Sequence, residues 1–205
     1  TGRGVLIETL RDLIPGYPAL GEGGPLGPLR KMNLLGPRTF LVHANYLCEA
    51  EILEAGRAGS PVVHCPASHA FFGHRRFPWS GFRKAGSPVR VGTASALTGG
   101  GPDLVAALRR GIETSDVAPE DLWFAATQGG AEALGLGGVT GSLRVGYSAD
   151  AVVLEHGGAS LRTLPDKLLE GGKTAASMVQ GRFDGGLGSG QGTGATYSQG
   201  TSPQA

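Results

Sequence analysis

Thr39-Phe-Leu-Val-His-Ala-Asn-Tyr-Leu-Cys48 and Pro61-Val-Val-His-Cys-Pro-Ala-Ser-His69 share one form: a short apolar run that ends in a histidine and passes into turn-forming residues. Residues 40–42 and 61–63 read as buried strands of a parallel sheet, because a strand covered by helices on both faces is apolar throughout. A polar residue at the last strand position stands at the carboxyl end of the sheet, where an α/β barrel collects its reactive groups. Val89-Arg-Val-Gly-Thr-Ala-Ser95 repeats the pattern. Three such ends facing one mouth are expected to form the rim of an active site.

Working outward, residues 49–58 predict a helix with Glu49 and Glu51 in its first turn, where the dipole favours negative charge, and Gly59 as its cap. Residues 29–35 predict a short helix before the first strand, and 5–14 an amphipathic helix ended by Pro15-Gly16. The Gly/Pro-rich stretch 16–28 reads as a loop, and so does 65–78, which carries His69, His74, Arg75 and Arg76. Further helices are expected at 79–85, 103–111, from Ala118-Pro119 to Thr127, and at 131–136. Strand and helix alternate, the grammar of βαβ units with right-handed crossovers. After Gly141 the pattern changes to a turn-rich, hairpin-like stretch ending in a strand at Glu155, with a further strand at 178–182. From Asp184 onward Gly, Ser, Thr and Gln dominate, and a disordered tail is expected.

The 205 residues carry 18 basic and 17 acidic side chains, a balance that predicts no attraction to nucleic acid or to an anionic membrane. Forty per cent apolar residues suffice for the core of one ordinary domain. No apolar run approaches the roughly 18 residues needed to span a bilayer, and no signal-peptide pattern opens the chain. Cys48 and Cys65 form no spaced framework and read as reduced thiols, which fits a cytoplasmic protein. Glycine is abundant, 37 of 205 residues. The chain begins at Thr1 and its first methionine is Met32, from which a fragment of a longer protein is expected.

Several local motifs fail on their own terms. Gly171-Gly172-Lys173-Thr174 ends like a phosphate-binding loop, but position 167 is lysine where that loop needs glycine. No glycine cluster completes a dinucleotide-binding turn, and neither a His-x-His pair nor a His-Glu-x-x-His helix occurs. Arg75 and Arg76 read as a solvated loop.

Four segments in order carry a resemblance: Val42-His-Ala-Asn-Tyr-Leu47; the run His64-Cys-Pro-Ala-Ser-His69 with its continuation to Pro78; Val91-Gly-Thr-Ala-Ser95; and Gly141-Ser-Leu-Arg-Val-Gly-Tyr-Ser-Ala-Asp-Ala-Val-Val-Leu154. Together with Ala125–Leu136 they resemble the amidohydrolase superfamily, in the branch that holds guanine, adenosylhomocysteine and aminodeoxyfutalosine deaminases. The resemblance implies an α/β fold: the C-terminal portion of a metal-dependent (β/α)8 barrel, about strands 6–8. It further implies return strands of a small β domain. The expected division is a partial barrel at 1–138, the return segment at 139–183 and the tail at 184–205.

In that family a divalent ion, zinc or iron, lowers the pKa of a bound water to about 7, so that at neutral pH hydroxide attacks an amidine, amide or halo-substituted ring carbon and acid/base groups pass the proton to the departing amine. The partner is a small amino-substituted heterocycle, and the family is often homo-oligomeric. Carried over by position, His43 takes the role of the catalytic histidine that ends the sixth strand, while His64, His69 and His74 line the substrate pocket. From the residues alone, His43 equally fits a satisfied core histidine, and the other three fit loop packing. Asp150 takes a structural role in the β domain. Ala94 stands where the family's eighth strand carries a metal-binding, proton-shuttling aspartate, and a methyl group does neither. The expectation is therefore a deaminase-like hydrolase segment that binds no metal and is inactive alone, or a degenerate binding or assembly remnant of the same fold.

Overall fold

The structure, a computed structural model, describes residues 24–155, 163, 165, 166 and 173–184. The expected helix at 5–14 and the stretch 185–205 lie outside the described residues. The architecture begins with α1 (Gly27–Lys31), β1 (Leu41–Val42), α2 (Glu49–Ala58), β2 (Val62–His64) and α3 (Pro66–Phe71). It continues with α4 (Trp79–Lys84), β3 (Val89–Val91), α5 (Ala96–Gly99), α6 (Leu104–Thr114), α7 (Pro119–Ala126) and α8 (Gln128–Ala133). Then come β4 (Ala151–Glu155), β5 (Lys173–Val179) and β6 (Arg182–Asp184).

Among the described residues the strands form two sheets, a parallel one of order β1-β2-β3 and an antiparallel one of order β4-β5-β6. In the parallel sheet Leu41, Val62 and Val89 stand in one row. All three are buried against Ile52 and Ala55 of α2, Trp79 and Phe82 of α4, Leu108 of α6 and Leu122 and Ala125 of α7. Gly56 permits the close approach of α2 to α4: a Cβ there would stand 1.9 Å from the Ala85 carbonyl oxygen. The other row is Val42, Val63 and Arg90. The expectation of strands buried on both faces fails here, since Val42 is 55% exposed. Helices cover the row Leu41, Val62 and Val89, and in the other row Arg90 is covered by Phe124 of α7 and Glu132 of α8.

Most elements lie where the pattern puts them, with local differences. Pro66 in the first turn starts α3 inside the stretch expected to be loop. The short helix expected at 29–35 begins earlier, at Gly27, because buried Leu26 anchors its start, and it stops before Asn33, whose φ is 54°. Pro28 thus belongs to a helix and not to the loop 16–28. Asp103 caps α6 by accepting from the Ala106 amide at 2.9 Å, and the helix runs to Thr114 rather than 111. Helix α8 starts and ends three residues before the expected 131–136, since Gly135 turns left-handed at φ 74°. The strand expected at 178–182 is instead a hairpin: Gln180 and Gly181 adopt φ of 50° and 77°, the two-residue left-handed turn that suits paired strands. Strand β6 continues through Asp184, one residue beyond the expected boundary at 183. Asp150 accepts from Thr140 Oγ1 at 3.0 Å and from the Gln180 amide at 2.9 Å, tying the 139–150 turn to this hairpin. No helix among the described residues is long and apolar enough to cross a membrane.

Candidate functional site

The carboxyl ends of β1, β2 and β3 lie side by side because the strands are parallel and adjacent. His43 follows β1 directly and is exposed. Its amide completes the ladder to the Val63 carbonyl at 2.8 Å, and its φ is 70°. The next amide, of Ala44, donates back to the Val42 carbonyl at 3.0 Å, which makes His43 the central residue of a left-handed γ-turn. Ala44 is also left-handed, at φ 47°. Two successive non-glycine residues in this region hold strain of order 1–3 kcal/mol each, which surrounding contacts must offset.

His64 ends β2 two residues after Val62 and so shares its helix-covered face. It is fully buried, and its ring stacks on Phe77 at 4.1 Å. Its Nε2 meets Ser115 Oγ at 3.1 Å and Thr114 Oγ1 at 3.4 Å. Burial, then the nearby His69 and His43, lowers its pKa to about 3, so it is neutral at physiological pH and acts as a hydrogen-bonding group. His69 on α3 is also buried, and burial, followed by the neighbouring His74, holds its pKa below the ordinary value. Its Nδ1 lies 3.1 Å from Asn45 Oδ1. His74 is half-buried, and its Nδ1 lies 2.9 Å from the Tyr46 hydroxyl.

The three histidines expected in the pocket therefore do come together, with ring centroids 5.0 Å apart for His64 and His69 and 5.3 Å for His69 and His74. Only His74 has appreciable surface. The aromatic line continues outward through Phe72, tilted over His74 at 5.8 Å, while Arg75 stands 5.2 Å from the Tyr46 ring centroid. Arg76 is less free than a solvated loop residue, donating to the Ser115 carbonyl at 2.6 Å.

Ala94, beyond β3, is exposed with φ 57°. The buried Cys65 thiol has its pKa raised by burial, partly offset by a hydrogen bond from the Ala94 backbone. A divalent ion does not fit these residues: among the described residues no group of three His, Cys, Asp or Glu side chains is arranged to hold one, and Ala94 contributes no donor. Asn45 and Tyr46, which follow Ala44, are site residues that the sequence reading does not single out. Thr114 and Ser115, some 50 residues from His64, left no signal in the sequence.

The model of the amidohydrolase family matches residues 18–183, well over half of the chain. This chain belongs to the amidohydrolase family. As an amidohydrolase it is 31% identical over 170 residues to a probable guanine deaminase of Deinococcus radiodurans, covering 77% of this chain and 37% of that protein. It is 30% identical over 139 residues to a 5-methylthioadenosine/S-adenosylhomocysteine deaminase of Pyrococcus abyssi, covering 64% and 32%. The chain thus spans about a third of the length of these curated relatives. Among solved structures, the Helicobacter pylori aminofutalosine deaminase in complex with methylthio-coformycin superposes with a TM-score of 0.76 at 17% identity, covering 90% of this chain and 46% of that one. An adenosine deaminase from Xanthomonas campestris with bound zinc gives 0.70 at 24%, covering 87% and 47%. At these identities the structural likeness establishes the amidohydrolase fold alone.

Proposed function

We propose that this amidohydrolase segment forms the strand 6–8 side of a deaminase-type site for amino-substituted heterocycles of the purine class. In this reading residues 1–138 belong to the barrel and 139–183 to the small β domain. The observation that carries it is His43, exposed at a parallel-strand carboxyl end and placed beside His64 and His69. His43 is the group that exchanges a proton with substrate or departing amine. Tyr46 and His74 face the bound ring, and the buried His64 and His69 stand behind that wall. A general acid–base residue works only where it reaches the reacting atoms, and His43 has the exposure this requires. The deaminase names of the relatives support the substrate class. In the same reading the protein is cytoplasmic.

The chain by itself is proposed to be inactive, since Ala94 supplies no carboxylate and the described residues offer no metal site. The same alanine favours a second reading, a non-catalytic binding or assembly remnant. Titrating millimolar guanine or 5-methylthioadenosine into isotope-labelled protein tests the first. Resonance shifts at His43 and Tyr46 support it, and no shift anywhere overturns it. Ammonia release by the chain with one equivalent of zinc would overturn the inactivity. Binding without turnover in the Ala94→Asp variant, even with zinc and the rest of a barrel supplied, would select the remnant.

A further inference from the structure

We propose that His69 and His74 are positioning residues that clamp the turn bearing His43, so that two histidines following β2 set the backbone of a third following β1. The inference rests on the reading of His43 as the proton-exchanging group. Three observations carry it. First, His43 and Ala44 both hold left-handed φ, 70° and 47°, and such strain persists only where neighbouring contacts over-determine it. Second, the next two residues, Asn45 and Tyr46, are each bonded to a histidine on the neighbouring βα connection, at 3.1 Å to His69 and 2.9 Å to His74. Third, His69 is itself buried, 1% exposed and in edge contact with His64, which stacks on the core residue Phe77. Leu47, also buried, pins the far end of the turn. The strained turn is thus tied to the core through a line of rings rather than through its own segment, and the position of His43 is determined by β2 as much as by β1.

The test needs no ligand, so it stands or falls separately from the substrate reading. Tyr46 is 56% exposed, and Tyr46→Phe removes only the hydroxyl bonded to His74. Asn45→Ala removes the bond to His69 while leaving every histidine in place. Hydrogen exchange at the Ala44 amide, whose bond to Val42 closes the γ-turn, reports the clamp, and the His43 ring ¹⁵N shifts report its consequence. In the double variant Ala44 exchange is expected to accelerate at least tenfold and the His43 ring shifts to change, with strand amides of β2 still protected. His69→Asn, whose amide nitrogen stands near the place of the imidazole Nδ1, is expected to keep Ala44 protected, and His69→Leu is expected to lose it. Unchanged Ala44 protection and His43 shifts in a folded double variant would overturn the proposal. So would equal behaviour of His69→Asn and His69→Leu.

Discussion

At the residue scale, His64 links packing to pH. Its folded pKa of about 3 lies below the ordinary 6.5 because burial excludes the charged form. Above pH 6.5 both folded and unfolded chains hold this ring neutral, and its contribution to stability is complete. Below that, the unfolded chain takes up a proton that the folded one refuses, so stability falls as pH drops from 6.5 towards 3. The slope approaches about 1.4 kcal/mol per pH unit for one such group. His69, shifted in the same direction, adds to it. Urea melts at pH 7, 6, 5 and 4 are expected to show this decline, and His64→Gln to flatten it while lowering stability at pH 7. Ala94 offers a second residue-level prediction. Its φ of 57° costs a non-glycine residue roughly 1–2 kcal/mol. Ala94→Gly is therefore expected to stabilise the chain by about 1 kcal/mol. Ala94→Asp is expected to be close to neutral, because a short polar side chain tolerates this region better than a methyl group does. Thermal melts of the two variants check both.

At the element scale, helix placement depends on a few contacts that single substitutions can probe. Gly56 stands where a Cβ would overlap the Ala85 carbonyl, which is backbone and cannot step aside. Gly56→Ala is expected to push α2 away from α4 and to cost roughly 1–3 kcal/mol or more, read as a lowered denaturation midpoint. Gly59→Ala, with open space around it and φ 69°, should cost about 1 kcal/mol through backbone strain alone. Asp103→Ala removes the cap of α6 and is expected to cost about 1 kcal/mol. These elements also show what local sequence can carry. Helix α2 was legible to the residue because its early acids and terminal glycine agree. Helix α3 was not, because glycines, histidines and a proline crowd its neighbourhood and its start depends on burying Pro66 and His69.

At the scale of the whole molecule, the parallel sheet has three strands among the described residues, and helices bury its row Leu41, Val62 and Val89. Val42 at 55% exposure, with Leu97 at 86%, Leu134 at 70% and Leu143 at 82%, leaves large apolar side chains in water. The outer edge of β1 borders a cleft of about 390 Å³ lined by Leu26, Leu29, Phe40 and Tyr46. Among the described residues no strand pairs with the outer edge of β1, and an open edge beside apolar surface favours association. Sedimentation velocity is expected to show mass rising with concentration, and Val42→Lys at the edge strand to reduce it. A concentration-independent monomer would contradict this.

The sequence by itself determined that three apolar strands end in polar residues, that helices separate them in βαβ order, and that alanine occupies position 94. These are local properties, carried by hydrophobic period, turn chemistry and residue identity; the resemblance of the ordered motif segments is what pointed to the amidohydrolase family that the family match establishes. Only the tertiary structure decided which histidines are buried and which reach water, and that His69 and His74 meet Asn45 and Tyr46 after His43. It likewise decided that Ser115 and Thr114, some 50 residues away, meet Nε2 of His64. The physical reason is that burial and side-chain hydrogen bonds are set by neighbours distant in sequence. A histidine's pKa and role follow from those neighbours, and no window of sequence around it contains them.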